Sequence, residues 1–109
     1  MTELNHDDRC PCSSGEVYGA CCGRFLGEFA ASGTLTAPVP EQLMRSRFTA
    51  FATGDAAYLL ASWHPSTRPA TLDLEDDIRW YRLDVLASSG GPFDASGTVE
   101  FVAYYRSVP

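Results

Sequence analysis

Lysine is absent from the 109 residues, and every basic side chain is one of eight arginines. Fourteen acidic residues outnumber them and leave a formal net charge of −6. A negatively charged protein repels nucleic acid and anionic membranes over a screening length of roughly 8 Å. We therefore expect that neither nucleic acid nor a membrane is a partner of this chain.

Long apolar runs are missing as well, and the chain does not open with a basic segment followed by an apolar one. The usual signs of a secretory signal or a membrane-spanning helix are thus absent, and we expect a soluble, cytoplasmic protein. No serine nucleophile elbow, phosphate-binding loop or dinucleotide fingerprint occurs either. The sequence therefore leaves open whether the chain is an enzyme.

All four cysteines lie between residues 10 and 22, two of them separated by one residue and two adjacent. Either a metal ion or disulfides would account for four thiols at this spacing. Bridges within each pair would be strained, and crossed bridges (Cys10–Cys21 with Cys12–Cys22) are possible but would close short loops in a chain with no sign of secretion, so we favour a metal. Zn²⁺ takes four thiolates at about 2.3 Å, and four thiolates leave no open position, which predicts a structural ion. The predicted ligands are Cys10, Cys12, Cys21 and Cys22.

Residues beside the cysteines have weaker roles in this hypothesis. His6 is a conceivable substitute ligand, but with four thiols in place we favour a solvated tail residue. Arg9 and Arg24 flank the cysteine segment, where they would offset the net negative charge of Zn²⁺ with four thiolates. The alternative is that both arginines are ordinary surface charges.

The cysteine segment resembles the SEC-C motif, a zinc knuckle found at the C-terminal tail of the SecA translocation ATPase and in other bacterial proteins. The residues that carry the resemblance are Cys10, Pro11, Cys12, Ser14, Gly15, Tyr18, Cys21, Cys22 and Gly23. In SecA the motif docks the acidic chaperone SecB, so the resemblance implies a protein partner for the knuckle. The chain departs from the motif at Ser13, where glycine is usual, and in having no lysine between the cysteine pairs. The second departure argues against SecB itself.

The rest of the chain predicts helices followed by strands, an α+β arrangement. One or two helical turns are predicted within 24–32, then a linker, then a helix from Pro40 to a stop at Gly54. A helix over 56–63 follows, with Asp55 at its N-cap and Tyr58, Leu59, Leu60 and Trp63 as its buried set. An acidic run (Asp73, Glu75, Asp76, Asp77) precedes two antiparallel strands over 80–87 and 98–106. In the first strand, alternation puts Tyr81, Leu83, Val85 and Ala87 on the buried side.

Beyond the knuckle, the chain resembles the YchJ-like family of bacterial proteins. The segments that carry the resemblance are 43–51, 54–55, 58–59, 63–69, 97–101 and 105–106. The resemblance implies a SEC-C knuckle joined to a cystatin-like, nuclear transport factor 2-like cone, and it implies no particular reaction. We therefore predict a knuckle with a short helix over 1–31, a linker over 32–40 and a cystatin-like α+β domain over 41–109. Family members usually continue into further strands, so we expect a β-meander short of its last strands, with an open edge for a homodimer.

Two functions follow as hypotheses. The favoured one is a protein-interaction module with a structural zinc site. The second is a small-ligand or enzymatic pocket in the cone, with His64 as a base and arginines holding an anion. The candidate pocket residues are Arg45, Arg47, His64 and Arg68. The alternative for them is structural: His64 donates to the last carbonyls of its helix, and the arginines pair with Asp55, Asp73 or Glu100.

Overall fold

The computed structural model describes residues 4–74 and 77–107, so Glu75 and Asp76 of the acidic run lie outside the described residues. A short 3₁₀ turn (Tyr18–Ala20) is followed by three helices and two strands. The helices are α1 (Cys22–Ser32), α2 (Pro40–Thr53) and α3 (Ala56–Ala61), and the strands are β1 (Ile78–Ser89) and β2 (Thr98–Ser107). The predicted α+β class, with helices packed on an antiparallel sheet, is confirmed.

Helix α1 is longer than the one or two turns predicted, because it begins at Cys22 itself. It ends at Gly33, which adopts the left-handed conformation at φ 75° and donates its N–H to the carbonyl of Phe29. The side chains of Phe25 and Leu26 are buried, with 7% and 5% of their surface exposed. Helix α1 therefore begins within the cysteine segment, and its buried side chains share the core with the cysteines.

Helices α2 and α3 begin where the sequence predicts. Pro40 occupies the first turn of α2, and Gly54 ends it at φ 79°. Asp55 caps α3 by accepting a hydrogen bond from the N–H of Tyr58 at 3.1 Å. Helix α3 stops at Ala61, earlier than predicted, where the hydroxyl of Ser62 donates to the carbonyl of Tyr58 at 2.7 Å.

Because α3 is shorter than predicted, only part of its predicted buried set is fully buried. Tyr58 and Leu59 are fully buried, as predicted. Leu60 is half-buried, and Trp63 is half-buried and lies beyond the helix.

Strands β1 and β2 form an antiparallel pair in which a β-bulge between Trp80 and Arg82 changes the predicted faces. Simple alternation put Tyr81 beside Leu83 in the core. The extra residue of the bulge instead brings Trp80 to the side of Leu83, and the Trp80 ring lies 6.3 Å from the ring of Phe48 on α2. Tyr81 is left 47% exposed. Leu83 is buried and Val85 is half-buried, as predicted, whereas the prediction was wrong for Tyr81 and Ala87, which are exposed. Register shifts lie next to both residues, and a bulge has no signal in a period-two pattern.

A single buried cluster holds the helices, the sheet and the cysteine segment together. Its members are Cys10, Cys12, Cys21, Cys22, Phe25, Leu26, Phe48, Ala50, Tyr58, Leu59 and Leu83. Side chains from both sides of the predicted linker share this cluster, so the cysteine segment is part of the main core. The division at residues 31 and 40 stays a prediction. None of the helices in the described part of the chain has the length and hydropathy needed to span a bilayer.

Candidate metal centre

The four cysteine Sγ atoms lie within 4.8 Å of one another, and all four side chains are buried. The Sγ atoms of Cys12 and Cys21 are 3.6 Å apart and those of Cys21 and Cys22 are 4.0 Å apart, with no disulfide among them. A tetrahedral ion with bonds of about 2.3 Å separates its sulfur ligands by about 3.8 Å. The cysteine cluster therefore fits a four-coordinate metal ion.

A tight backbone loop presents the first two cysteines. The N–H of Cys10 donates to the carbonyl of Glu16 at 2.9 Å, and Arg9 and Val17 form an isolated antiparallel bridge. Between Arg9 and Val17 the chain turns at Ser13, whose φ of 67° is a left-handed conformation that glycine adopts more easily. This loop turns the sulfur atoms of Cys10 and Cys12 to the same side.

The second pair of cysteines lies at the junction of the 3₁₀ turn and α1. The N–H of Cys21 donates to the carbonyl of Tyr18 at 3.0 Å, and Cys22 is the first residue of the helix. Gly23 has to be glycine here, because a Cβ at this position would lie 2.7 Å from the carbonyl oxygen of Tyr18. The Cys-Cys-Gly sequence thus allows a turn to enter a helix with both sulfur atoms facing the first pair.

Two hydroxyl groups contact sulfur atoms of the cluster. The Oγ of Ser14 lies 3.2 Å from the Sγ of Cys21, and the Oγ1 of Thr49 on α2 lies 3.7 Å from the Sγ of Cys10. Hydrogen bonds of this kind support metal-bound thiolates and orient them. The contact from Thr49 joins the cysteine cluster directly to the longest helix.

Two arginines donate hydrogen bonds to the backbone carbonyl groups of cysteines in the cluster. Arg45 donates from Nη1 to the carbonyl of Cys12 at 2.9 Å, and Arg24 donates from Nε to the carbonyl of Cys21 at 3.0 Å. Arg24 thus contacts the cysteine segment, and its predicted role in offsetting the charge of the metal site stays a prediction. Sequence analysis missed Arg45 and Thr49 as neighbours of the cluster, although their spacing of four residues on α2 puts both on one helix face.

The pKa values of three thiols in the cluster are shifted in opposite directions. Hydrogen bonds from Cys12 and Cys22 hold the pKa of the Cys10 thiol far below its usual range. The pKa of Cys12 is raised to about 11, first by its hydrogen bond to Cys10, and the pKa of Cys22 is raised for the same reason. One thiolate thus forms readily, and further negative charge in the buried cluster needs a cation to balance it.

The four residues of the predicted pocket do not converge. Arg47 donates to the carbonyl of Ser62 at 2.9 Å, and Arg68 donates to the carbonyl of Trp63 at 3.0 Å. These two arginines and His64 therefore gather around the C-terminal end of α3, whereas Arg45 lies at the cysteine cluster.

Their bonding partners also differ from the structural alternative. The Nδ1 of His64 faces the hydroxyl and the N–H of Ser66, at 2.7 and 3.1 Å, rather than a helix carbonyl. Within the described residues, the arginines bind carbonyl groups and Glu41, and none pairs with Asp55, Asp73 or Glu100. His6 is exposed, stands outside the sulfur cluster, and accepts a hydrogen bond at its carbonyl from the N–H of Gly19.

A cavity of about 190 Å³ lies instead between α2 and the start of β1. It is lined by Phe51, Leu72, Asp73, Leu74, Ile78 and Trp80. Its walls are mainly apolar, and none of the four predicted pocket residues contributes to it.

Known sequence families match both the cysteine segment and the region that follows it. The sequence profile described as the SEC-C motif matches residues 8–24, and the profile described as the YchJ middle NTF2-like domain matches residues 39–108. A UPF0225 protein of Corynebacterium glutamicum is 54% identical over 92% of this chain and 77% of its own length. A UPF0225 protein of Streptomyces coelicolor is 53% identical over 89% of this chain and 75% of its own length.

Two solved structures share the fold. The solution structure of a SEC-C motif containing protein from Rhodopseudomonas palustris aligns with a TM-score of 0.71 and 36% identity, over 90% of this chain and 75% of that one. The crystal structure of a SEC-C motif containing protein from Psychrobacter arcticus aligns with a TM-score of 0.72 and 24% identity. That second alignment covers 94% of this chain and 66% of the other.

Proposed function

Because this chain belongs to the YchJ-like UPF0225 family and carries a SEC-C motif, we propose that it is a zinc-stabilised protein-interaction module. The observation that carries the proposal is the set of four buried sulfur atoms within 4.8 Å of one another, two pairs of which are 3.6 and 4.0 Å apart. The four cysteines would hold the ion, and the surface of the knuckle around them would contact a protein partner.

Zinc is the ion that this donor set favours. Thiolates select zinc, copper(I) and iron–sulfur clusters, and a mononuclear tetrahedral site of four thiolates suits zinc. Such a site has no vacant position for substrate or water, so the ion supplies folding free energy rather than catalysis. The wrapped, buried position of the four cysteines supports this structural role.

X-ray absorption at the zinc edge tests the coordination directly. We expect four sulfur neighbours at about 2.3 Å. Three sulfur atoms with a nitrogen or oxygen neighbour would contradict a closed structural site.

Four reduced thiols are stable in a reducing compartment, which supports our proposal of a cytoplasmic location.

The docking part of the proposal concerns the outer loop of the knuckle. Residues 13–17 are exposed, and Val17 presents an apolar side chain with 42% of its surface accessible. Chelation cannot test this loop, because the cysteines belong to the main core and metal removal would disturb the whole fold. Point variants that keep the metal are needed instead.

Leu35 offers a matched control, since it is apolar, 43% exposed and outside the knuckle. We expect a partner captured by wild-type protein to be lost with Val17→Asp and retained with Leu35→Asp, at equal metal content. Equal capture by all three proteins would contradict docking through the knuckle.

A small-ligand function is the second candidate, favoured by the apolar cavity beside Phe51 and Trp80. A thermal-shift screen of anionic metabolites separates two versions of it. Stabilisation that disappears in His64→Ala and Arg47→Ala would support the predicted pocket residues, and stabilisation that disappears in Phe51→Ala would support the cavity. Absence of any ligand-dependent shift would contradict both.

A second copy of the chain is the partner that we propose for the outer edge of β2. In the described residues β2 pairs only with β1, and Phe101 and Tyr105 on it are 43% and 56% exposed. Pairing of two such edges would cover both aromatic side chains. A native mass equal to two chains is expected, and a monomer at high concentration would contradict this contact.

A further inference from the structure

An open cleft of about 370 Å³ lies beside the metal centre, between the knuckle and β1. Its lining residues are Arg9, Cys10, Pro11, Ser13, Gly15 and Tyr81. The hydroxyl of Ser13 accepts a hydrogen bond from the N–H of Leu83 at 3.1 Å, which ties one wall of the cleft to the other. At Gly15 a Cβ would meet no atom within 4 Å, so this part of the wall is open.

Tyr81 connects the cleft to a second arginine. The guanidinium carbon of Arg106 lies 4.5 Å from the centroid of the Tyr81 ring, in cation–π geometry. Stacking occupies the flat face of a guanidinium and leaves its N–H groups at the edge available for hydrogen bonds. Tyr81 lines the cleft and is 47% exposed, and Arg106 reaches the cleft only through this stacking contact, since it is not itself a lining residue.

Arg106 also faces a like charge across the two strands. Arg79 and Arg106 are direct partners across the two strands, and like charges in that position destabilise a sheet. Within residues 4–74 and 77–107, neither of them nor Arg9 forms an ion pair. Arg82, on the same sheet, is by contrast paired with Asp84 at 2.9 Å.

We infer that this cleft binds a small phosphate-bearing anion between Arg9 and Arg106, with Tyr81 positioning the second arginine. Guanidinium groups match the geometry of phosphate oxygens in paired hydrogen bonds, and the anion would relieve the repulsion between Arg79 and Arg106. The open volume suits a small molecule. The net charge of −6 opposes a long polyanion. This inference is independent of protein docking through Val17.

Calorimetric titration of the metal-loaded protein with pyrophosphate at low salt tests the site. We expect saturable binding that weakens about tenfold in Arg106→Gln and in Arg9→Gln, the loss typical of one charge-assisted hydrogen bond. Arg82→Gln is the matched control, because it removes the same charge from the same sheet while its guanidinium already binds Asp84. It should weaken binding by less than about threefold.

Two results would overturn the inference: no binding below about 10 mM pyrophosphate, or an equal loss in all three variants. Nuclear magnetic resonance of the wild-type protein keeps the test valid if a variant unfolds. The Nε–H signals of Arg9 and Arg106 should shift on addition of pyrophosphate, whereas that of Arg82 should stay in place. Shifts of Arg82 alone would refute the site.

Further probes define the ligand class. Inorganic phosphate should compete with pyrophosphate at the same signals. Citrate should compete poorly, and citrate that competes as well as phosphate would contradict recognition of phosphate geometry. A single-stranded oligonucleotide that binds more tightly than pyrophosphate would overturn the small-molecule part of the inference.

Discussion

The cysteine half of the molecule, which comprises the knuckle and the helices (residues 10–61), and the β-hairpin (residues 78–107) differ sharply in burial. In the cysteine half, Cys12, Tyr58 and Leu59 are completely buried, and Phe48 is 2% exposed. In the two strands, Leu83 is the single buried side chain. We therefore expect most of the folding free energy to reside in the knuckle and helices, and the hairpin to depend on its contacts with α2.

Loss of one metal ligand should have the largest effect. We expect Cys12→Ser to lose zinc and leave the chain mostly unfolded, because a structural zinc site can supply roughly 10 kcal/mol or more of folding free energy. Far-ultraviolet circular dichroism and metal analysis measure both outcomes. Cys12→His, which keeps a zinc ligand, should recover part of the fold. A Cys12→Ser protein with wild-type spectra would show that the cysteine half is stable without a metal.

Truncation of an aromatic side chain in each half sharpens the comparison. Phe48→Ala should lower the free energy of unfolding by about 3–5 kcal/mol, since it opens a cavity in the buried cluster. Phe101→Ala removes a side chain that is 43% exposed, and it should cost less than about 1 kcal/mol. Urea denaturation measures the two values. Similar losses would contradict the unequal distribution of stability between the halves.

Ser13 joins the two halves, and its two substitutions should differ in a defined order. Ser13→Ala loses the hydrogen bond to Leu83 and keeps the strained φ of 67°, whereas Ser13→Gly loses the bond and relieves the strain. We therefore expect Ser13→Gly to be more stable than Ser13→Ala by about 1 kcal/mol. Thermal unfolding in parallel checks this order. The reverse order would show that the turn is not strained.

The smallest effect is expected from the exposed ion pair of the hairpin. A hydrogen bond from Arg82 lowers the pKa of Asp84, and the hydroxyl of Tyr104 adds to the shift. The stabilisation is thus present above the unfolded pKa of about 3.9 and disappears as the pH falls through the lower folded value. Melting temperatures of wild type and Asp84→Asn should differ slightly near neutral pH and converge in acid. A constant difference would contradict a role for the charge.

Features set by local chemistry could be predicted from the sequence. Pro40, Gly54 and Asp55 mark helix ends through their own backbone and side-chain properties, and the structure confirms all three positions. The four cysteines could be grouped because their spacing confines them to one short loop. The SEC-C and YchJ-like resemblances were confirmed as well.

Features that depend on contacts between distant residues could not be predicted from the sequence. The bulge that moves Trp80 into the core depends on how β1 pairs with β2 and packs against α2. Arg45 was predicted for a pocket but binds the carbonyl of Cys12, 33 residues away. Such a contact exists only once α2 has docked on the knuckle, and a single sequence carries no local signal for it.

The four cysteines belong to the main core, so we expect the helices and the hairpin to depend together on the metal that the cysteines would hold. The most direct test is stepwise removal of the metal by a chelator while the fluorescence of Trp80 is followed in a Trp63→Phe background. Because Trp80 packs on Phe48 and Phe51, we expect zinc release and the change in Trp80 emission to coincide in one transition. Complete zinc loss with unchanged Trp80 emission would contradict the claim.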